Sequence, residues 1–284
     1  MKKPDWLKIP YRENTNNSFV NKLLKDLDLN TVCDEANCPN KTECFSKKTA
    51  TFMISGVNCT RNCTFCNVSH GTPEMLDAGE GVRIAEAVLM MGLKHVVITS
   101  VTRDDLPDGG ASHFADVIRA IRKTSPDTVI EILIPDFRSL LAVTDATPAV
   151  IGHNIETVES LYPSVRPEAN YYRSLNVLSE IKRLNPDIYT KSGIMLGLGE
   201  TRNEVLKTFS DLVETGCDFL TIGQYLSPSS KHYPVYEYIE PSVFTEYGEA
   251  AKKTGFRHVT SAPFVRSSYN AGEVIRNLRE DLRI

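Results

Sequence analysis

Short apolar runs, typical of buried parallel strands, alternate along the chain with amphipathic stretches of helical period. The apolar runs predict six strands, near residues 51–57, 95–101, 128–134, 149–155, 189–197 and 218–224. The amphipathic stretches predict helices near 80–91, 111–124, 136–143, 171–184, 202–215 and 241–254. Six successive βα units indicate an α/β fold, an incomplete (β/α)6 TIM-like barrel whose parallel sheet is curved.

No internal repeat, low-complexity segment or Gly/Ser linker divides the chain. We therefore predict a single functional unit with an N-terminal extension (1–48), a partial barrel (49–256) and a C-terminal extension (257–284). In such barrels the residues that follow the strands meet at one mouth. The polar side chains near those positions form a predicted rim, which includes Arg103, Asp104, His153, Asn154, Glu156, Lys191 and Gln224.

Composition narrows the function mainly by exclusion. The 284 residues carry a formal net charge of −4 and are 41% hydrophobic, which is ordinary for a globular protein in water. Lysine and arginine are scattered, so neither nucleic acid nor an anionic membrane is expected as a partner. The start MKKPDWLKIP lacks the apolar core of a secretory signal, and no uncharged stretch has the length of a membrane span. We expect a cytoplasmic protein.

The seven cysteines point to metal chemistry rather than to disulfides, because their number is odd and no secretory signal is present. Cys217 starts a predicted buried strand and fits a small core residue. The other six form two groups of three. The first triplet, with C-x4-C-x5-C spacing, is Cys33, Cys38 and Cys44, and the second triplet, with C-x3-C-x2-C spacing, is Cys59, Cys63 and Cys66. Both groups fall in loop-like stretches.

Three thiolates are one too few for the usual structural zinc site, which has four ligands and favours close C-x2-C pairs. His70 lies near the second triplet, so a Cys3His zinc site stays open as an alternative. A [4Fe-4S] cluster held by three cysteines leaves one iron free for a non-thiolate ligand. That open iron turns an electron carrier into a binding site.

The second triplet, in CTRNCTFC (59–66) after the strand-like TFMISGV, resembles the signature of the radical S-adenosylmethionine (radical SAM) superfamily. The resemblance implies that the open iron chelates the amino and carboxylate groups of SAM, whose reductive cleavage gives a 5′-deoxyadenosyl radical. It also implies that Phe65 and the rim residues Arg103, Asp104, Asn154, Glu156 and Gln224 are candidates for SAM contacts. Lys191 is expected either to contact the SAM carboxylate or to pair with Glu156.

Both triplets together resemble the lipoyl synthase family over nearly the whole chain. The resemblance includes the segments KPDWLKI, KTATFMI, ITSVTRDDLPDGGA, EILIPDF, HNIETV, VRPEANY, KSGIMLGLGE, IGQYLSP and RSSY (266–269). It implies that the first triplet and Ser268 hold a second, auxiliary [4Fe-4S] cluster. The alternative for Ser267 and Ser268 is a helix N-cap before AGEVIRNLRE. Asn270 departs from the family pattern, in which His is common.

This resemblance implies a sulfurtransferase that inserts two sulfur atoms at C6 and C8 of an octanoyl-lysine and consumes two SAM molecules per product. The auxiliary cluster is the implied sulfur source, and Arg166, Arg266 and Tyr269 are placed near it or near the substrate. Protein acids and bases cannot remove hydrogen from unactivated C–H bonds, which explains the need for a radical. The implied partners are octanoylated E2 subunits of 2-oxoacid dehydrogenases, the glycine cleavage H protein, and a low-potential donor such as ferredoxin or flavodoxin.

Two other functions are weighed against this one. A biotin synthase-like radical SAM sulfurtransferase also has an auxiliary cluster, but the RSSY motif and the x4, x5 spacing argue against it. A two-cluster electron carrier is the alternative from another class. Carriers bind each cluster with four cysteines, whereas both triplets here are one short, and a six-strand barrel is larger than electron transfer requires.

Overall fold

The computed structural model describes residues 2–8, 14–269 and 271–272. Within these residues eight strands form one sheet and follow each other in chain order. They are β1 (Asn30–Thr31), β2 (Thr51–Ile54), β3 (His95–Ser100), β4 (Val129–Leu133), β5 (Val150–Gly152), β6 (Tyr189–Leu196), β7 (Phe219–Gln224) and β8 (His258–Ser261). The short β1 pairs antiparallel with β2, and every later pair of neighbours is parallel. The sheet therefore ends at β1 and β8, and the barrel is open.

The α-helices of the described residues lie between the strands and ahead of them. They are α1 (Thr15–Asp26), α2 (Val32–Glu35), α3 (Lys41–Ser46), α4 (Glu80–Met91), α5 (Ala111–Thr124), α6 (Leu141–Asp145), α7 (Tyr162–Val165), α8 (Tyr171–Leu184), α9 (Arg202–Glu214) and α10 (Pro241–Thr254). Local sequence fixes several of their ends. At α9, Thr201 accepts a hydrogen bond from the Glu204 N–H, and the Glu204 carboxylate accepts one from the Thr201 N–H at 2.8 Å. No helix in this described part is long and apolar enough to cross a membrane.

The α/β alternation predicted from the sequence is confirmed, although several elements differ from the prediction. β8 is a seventh parallel strand, beyond the expected end of the barrel at residue 256. The helix expected over 136–143 is wrong in its bounds, since α6 begins only at Leu141. Asp136 is drawn toward the barrel mouth by ion pairs with Arg61 and Arg173, so the chain after β4 stays irregular.

The N-terminal extension is attached to the barrel by its own helices. Val20 and Leu24 of α1 are buried in the same apolar core as Phe45 of α3 and Phe52 of β2. Cys33 of α2 is buried in this core as well. Burial of a large apolar side chain stabilises a fold by about 1.5–3 kcal/mol, so this packing holds the first triplet firmly beside the sheet.

An ion cluster is buried inside the barrel near the beginnings of the strands. Lys191 Nζ lies 2.7 Å from Glu131 Oε1, and His95 Nε2 lies 3.2 Å from Glu131 Oε2. Burial opposes the charge on Glu131, but Lys191 and His95 together lower the pKa of that carboxyl to about 2. The carboxylate is therefore charged at neutral pH and stabilises the fold only together with its partners.

Candidate active site

One cavity of about 520 Å³ opens at the carboxyl ends of the parallel strands. All six cysteines of the two triplets line it, as does the stretch Val265 to Tyr269 near the end of the described chain. We call residues 264–269 the C-terminal segment. The structure thus brings together parts that lie more than 200 residues apart in the sequence.

The second triplet follows β2 on a loop that other loops hold in place. The chain leaves the strand through Ser55, whose φ of 70° is left-handed. The Thr60 N–H donates to Thr102 O at 3.0 Å, and the Thr64 N–H donates to Val165 O at 3.1 Å. These hydrogen bonds fix the loop at points on both sides of Cys63.

Two cysteines of the first triplet, Cys33 and Cys44, lie on the short helices α2 and α3 rather than in the loops that the sequence suggested, and Cys38 lies between these helices. Thr31 caps α2, since its hydroxyl accepts from the Asp34 N–H at 3.2 Å. The Cys38 N–H donates to Cys33 O at 3.0 Å, and the Cys44 N–H donates to Asn40 O at 2.9 Å. Helices of four and six residues show too little periodicity to be recognised from sequence.

The C-terminal segment crosses the cavity and contacts both sides of it. On the side of the first triplet, Asn40 Nδ2 donates to Phe264 O at 2.7 Å, and the Tyr269 hydroxyl donates to Glu43 at 3.2 Å. On the side of the barrel, Asn154 Nδ2 donates to Ser267 Oγ at 2.7 Å. Ser268 lies between the two contacts with the first-triplet region and lines the cavity. Asn270, and all but the first two residues of AGEVIRNLRE, the stretch that Ser267 or Ser268 was considered to cap, lie outside the described residues.

Burial raises the pKa of the cysteine thiols. In the first triplet, burial and the neighbouring thiols raise the pKa of Cys33 to about 11 and that of Cys44 to about 12. In the second triplet, burial raises the pKa of Cys66 to about 12 and also raises the pKa of Cys63, although the Arg166 guanidinium opposes the shift at Cys63. Thiols of this kind are protonated at neutral pH, so metal binding must displace their protons.

The predicted rim residues divide into two sets. Asn154, Glu156 and the loop residue Phe65 line the cavity, as do Arg166, Arg266 and Tyr269. Arg103, Asp104, Lys191 and Gln224 do not belong to its lining.

The four residues outside the lining have structural partners. Arg103 donates to Ser55 O at 3.0 Å and to Asp105, and Asp104 pairs with Arg61.

Lys191 and Gln224 are likewise engaged elsewhere. Lys191 pairs with Glu131 and not with Glu156. The amide of Gln224 donates to Leu196 O and accepts from the Ile239 N–H. These hydrogen bonds hold the strand ends rather than the walls of the cavity.

Around β5 the cavity wall contains unusual backbone and unpaired polar atoms. Glu156 has a φ of 64°, a left-handed conformation that costs energy in a residue other than glycine and is frequent at active sites. Burial raises the pKa of Glu156, and the adjacent Arg166 opposes that shift. Within the described residues, Asn154 Oδ1 and Arg166 Nε are buried without a hydrogen-bond partner. Buried polar atoms are nearly always paired, so these atoms fit a polar ligand.

His153 belongs to this wall and to the predicted rim, but it was not among the candidates for SAM contacts. It is 1% exposed and lines the cavity, and burial with the nearby Arg166 lowers its pKa to about 4. The neutral ring donates from Nδ1 to Ile134 O at 2.9 Å, which leaves Nε2 as an acceptor. Its position directly before Asn154 in HNIETV was the available signal.

Comparison with known proteins identifies the family of the chain. The family model described as the Radical SAM superfamily matches residues 53–212. A lipoyl synthase of Alkaliphilus metalliredigens is 55% identical over 283 residues, which cover 98% of this chain and 98% of that protein. A lipoyl synthase of Caldicellulosiruptor saccharolyticus is 58% identical over 279 residues, covering 97% and 98% respectively. The crystal structure of methylornithine synthase matches with a TM-score of 0.53 at 15% identity, over 88% of this chain and 84% of that chain.

The open parallel barrel and the family match define a radical SAM enzyme. Within that superfamily the chain belongs to the lipoyl synthase family, since relatives there share more than half of its residues over nearly the full length. It is therefore a radical SAM sulfurtransferase. Both resemblances inferred from the cysteine motifs are confirmed.

Proposed function

We propose that this chain inserts two sulfur atoms, at C6 and C8, into an octanoyl group carried on a lysine of a lipoyl carrier domain. The observation that carries the proposal is that both triplets and the C-terminal segment line one cavity of about 520 Å³. Hydrogen removal and sulfur insertion act on the same carbon atoms, so both centres must reach one bound substrate. A shared cavity satisfies that requirement.

The donor atoms fit two [4Fe-4S] clusters. Thiolates are the preferred ligands of iron–sulfur clusters, and each triplet offers three of them. Among the described residues no three His, Cys, Asp or Glu side chains surround one point closely enough for a single metal ion. The three thiolates of each triplet would hold a cluster of several irons and would not need to converge on a single metal ion. His70, the fourth ligand of the zinc alternative, has an exposed side chain and pairs with Cys59 through its backbone.

We assign one cluster to the second triplet and the auxiliary cluster to the first triplet with Ser268. Phe65, Asn154 and Glu156 are the lining residues that we assign to SAM. When bound, SAM and the second-triplet cluster supply the radical that takes hydrogen from C–H bonds, and the auxiliary cluster supplies sulfur. Two SAM molecules are used for each product, because two C–H bonds are broken.

The protein's own side chains orient the substrate and exclude water. Met53, Ile134, Met195 and Leu226 give the cavity apolar walls that suit a hydrocarbon chain. Arg166 donates to Asn154 O at 3.1 Å and to the Tyr162 hydroxyl at 3.0 Å, which fixes its guanidinium beside Cys63 and Glu156. A dry, rigid cavity protects a radical from side reactions.

The substrate is accordingly an octanoylated carrier protein. We propose the E2 subunits of 2-oxoacid dehydrogenases and the glycine cleavage H protein as carriers, and ferredoxin or flavodoxin as the reductant. The cavity lies at the open mouth of the barrel, where a lysine arm can enter. We propose that the enzyme works in the cytoplasm.

The test is iron and acid-labile sulfide per chain after anaerobic reconstitution, together with lipoyl formation on an octanoylated carrier. About eight irons and eight sulfides are expected for two cubanes. Replacing Cys33, Cys38 and Cys44 by alanine should leave about four irons, with SAM still cleaved but no lipoyl product formed.

Cys217→Ala is the matched control, because Cys217 is a buried cysteine outside both triplets. It should retain all the iron and form the product. Lipoyl formation by the triple alanine variant would contradict the proposed sulfur source. Zinc in place of iron would contradict the whole assignment.

A further inference from the structure

Arg61 lies between Cys59 and Cys63 in the sequence, and its side chain reaches two carboxylates, those of Asp104 and Asp136. Its guanidinium makes a bidentate pair with Asp104, with Nε 2.7 Å from Oδ2 and Nη2 2.7 Å from Oδ1. Nη1 also lies 2.5 Å from Asp136 Oδ1. Only 9% of the Arg61 side chain and 5% of the Asp136 side chain are exposed, so this ion pair is shielded from solvent, whereas Asp104 is 47% exposed. Fork-like pairs of this kind fix geometry as well as energy.

The two carboxylates belong to neighbouring strand ends. Asp104 follows β3, and Asp136 follows β4. Asp136 is held from its other side by Arg173, whose Nε lies 3.0 Å from Oδ2. Arg61 therefore fastens the loop after β2 to the next two strands of the sheet. These contacts join the loop position to the barrel through side chains that are not cysteines.

The backbone of Arg61 contacts a cysteine sulfur. Its N–H donates to Cys59 Sγ at 3.4 Å, and the Thr102 N–H donates to the same sulfur at 3.3 Å. Thr60 lies between Cys59 and Arg61 in the sequence. Its N–H and its hydroxyl both donate to Thr102 O at 3.0 Å, which fixes its position. Anchoring the Arg61 side chain thus aims its own N–H at the Cys59 sulfur.

We propose that Arg61 is a positioning residue of the second triplet, which holds its backbone N–H on Cys59 Sγ through the anchors Asp104 and Asp136. The inference rests on the proposed function, in which this triplet binds a [4Fe-4S] cluster. An N–H dipole on a ligand sulfur stabilises the additional negative charge of a reduced cluster and so raises its reduction potential. Loss of an outer partner of a metal ligand typically weakens metal binding about 10–100-fold.

The test compares Arg61→Ala and Arg61→Lys with Arg119→Ala in the reconstituted full chain. Arg119 pairs with Asp116 at 3.0 Å on the exposed face of α5 and is a matched arginine–aspartate pair far from the cysteines in sequence. Two quantities are measured: the rate at which a chelator removes iron from the second triplet, and the midpoint potential of the cluster whose EPR signal changes with SAM. The midpoint potential distinguishes the two roles, because it responds to the N–H on the Cys59 sulfur, whereas a residue that only supports the fold leaves it unchanged.

Arg61→Ala should lose second-triplet iron about 10-fold faster or more and should shift the midpoint potential to lower values. Arg61→Lys keeps one ion pair without the fork, and Asp104→Asn keeps the Asp136 pair, so both should fall between Arg61→Ala and the parent. These milder variants preserve the test if Arg61→Ala fails to fold. Potentials and iron-loss rates equal to those of Arg119→Ala would overturn the inference. A parent chain without a SAM-responsive signal would overturn the proposed function and the inference with it.

Discussion

Gly223 in β7 lies directly against the C-terminal segment. A Cβ at this residue would lie 2.1 Å from Val265 O and 3.1 Å from Val265 C. Contacts of a Cβ below 3.0 Å essentially do not occur, so Gly223→Ala must move the segment by at least about 0.9 Å. The atom in the way belongs to the backbone, and no change of rotamer relieves the clash.

The displaced segment contains Arg266 and Ser268, so the change should act on the first triplet at a distance. A shift near 1 Å in catalytic geometry lowers rates by about 100-fold, and overpacking destabilises a fold by about 1–3 kcal/mol. We expect Gly223→Ala to reduce the rate of lipoyl formation about 100-fold and to weaken iron retention at the first triplet. SAM cleavage at the second triplet should continue. The assays are single-turnover product formation and iron per chain after exposure to a chelator.

Gly152→Ala is the matched control, because Gly152 also lies in a central strand but a Cβ there would meet its nearest neighbour at 3.4 Å, an ordinary contact. Both variants add one methyl group to the sheet. If Gly223→Ala retains first-triplet iron and product formation at the level of Gly152→Ala, the C-terminal segment does not complete the auxiliary site as we argue.

Three further changes test other parts of the structure. Glu131→Leu leaves Lys191 buried without its partner and should cost about 3–5 kcal/mol in urea unfolding at pH 7. The pKa of Glu131 is about 2 in the folded chain and about 4.3 in the unfolded chain. The difference in unfolding free energy between the parent and Glu131→Leu should therefore be complete above about pH 4.3 and shrink as the pH falls toward 2, and a difference independent of pH would refute this reasoning. Tyr269→Phe removes the hydroxyl that donates to Glu43 and should cost about 1 kcal/mol by the same measurement, and no change would show that this hydrogen bond is not formed in solution. Glu156→Gly should be about 1 kcal/mol more stable than Glu156→Ala, because only glycine relieves the φ of 64°, whereas equal stabilities would exclude strain there.

The sequence predicted the features that depend on local pattern. The helices over 80–91, 111–124 and 171–184 have the expected bounds, because each has an amphipathic face long enough to show its period. The cysteine spacing likewise pointed to the superfamily from fewer than ten residues. β8 was placed outside the expected barrel because it has only four residues, and its polar side chains leave no apolar run that predicts a buried strand.

Contacts between distant residues were not predictable in the same way. Arg103, Asp104 and Asn154 all follow strands, but only Asn154 turns into the cavity. The orientation at a strand end changes with a shift of one residue, so sequence position alone does not decide it. The contact of Asn40 with Phe264 spans 224 positions, and no local pattern indicates it. Such contacts depend on how the two extensions pack against the finished barrel.

The N-terminal and C-terminal extensions contact each other at the cavity. This contact distinguishes a catalyst from an electron carrier more clearly than the number of cysteines does. A carrier gains nothing from placing both triplets on one cavity, since electrons need only proximity and no room for a substrate. Here Gly223 admits the backbone of Val265 against β7, and the segment that follows reaches α3 beside Cys44. Both contacts keep the cavity bounded on two sides while its apolar walls remain free. A cavity lined by both cysteine triplets leaves room for a third molecule beside them, and this room favours sulfur transfer to a bound chain over electron transfer alone.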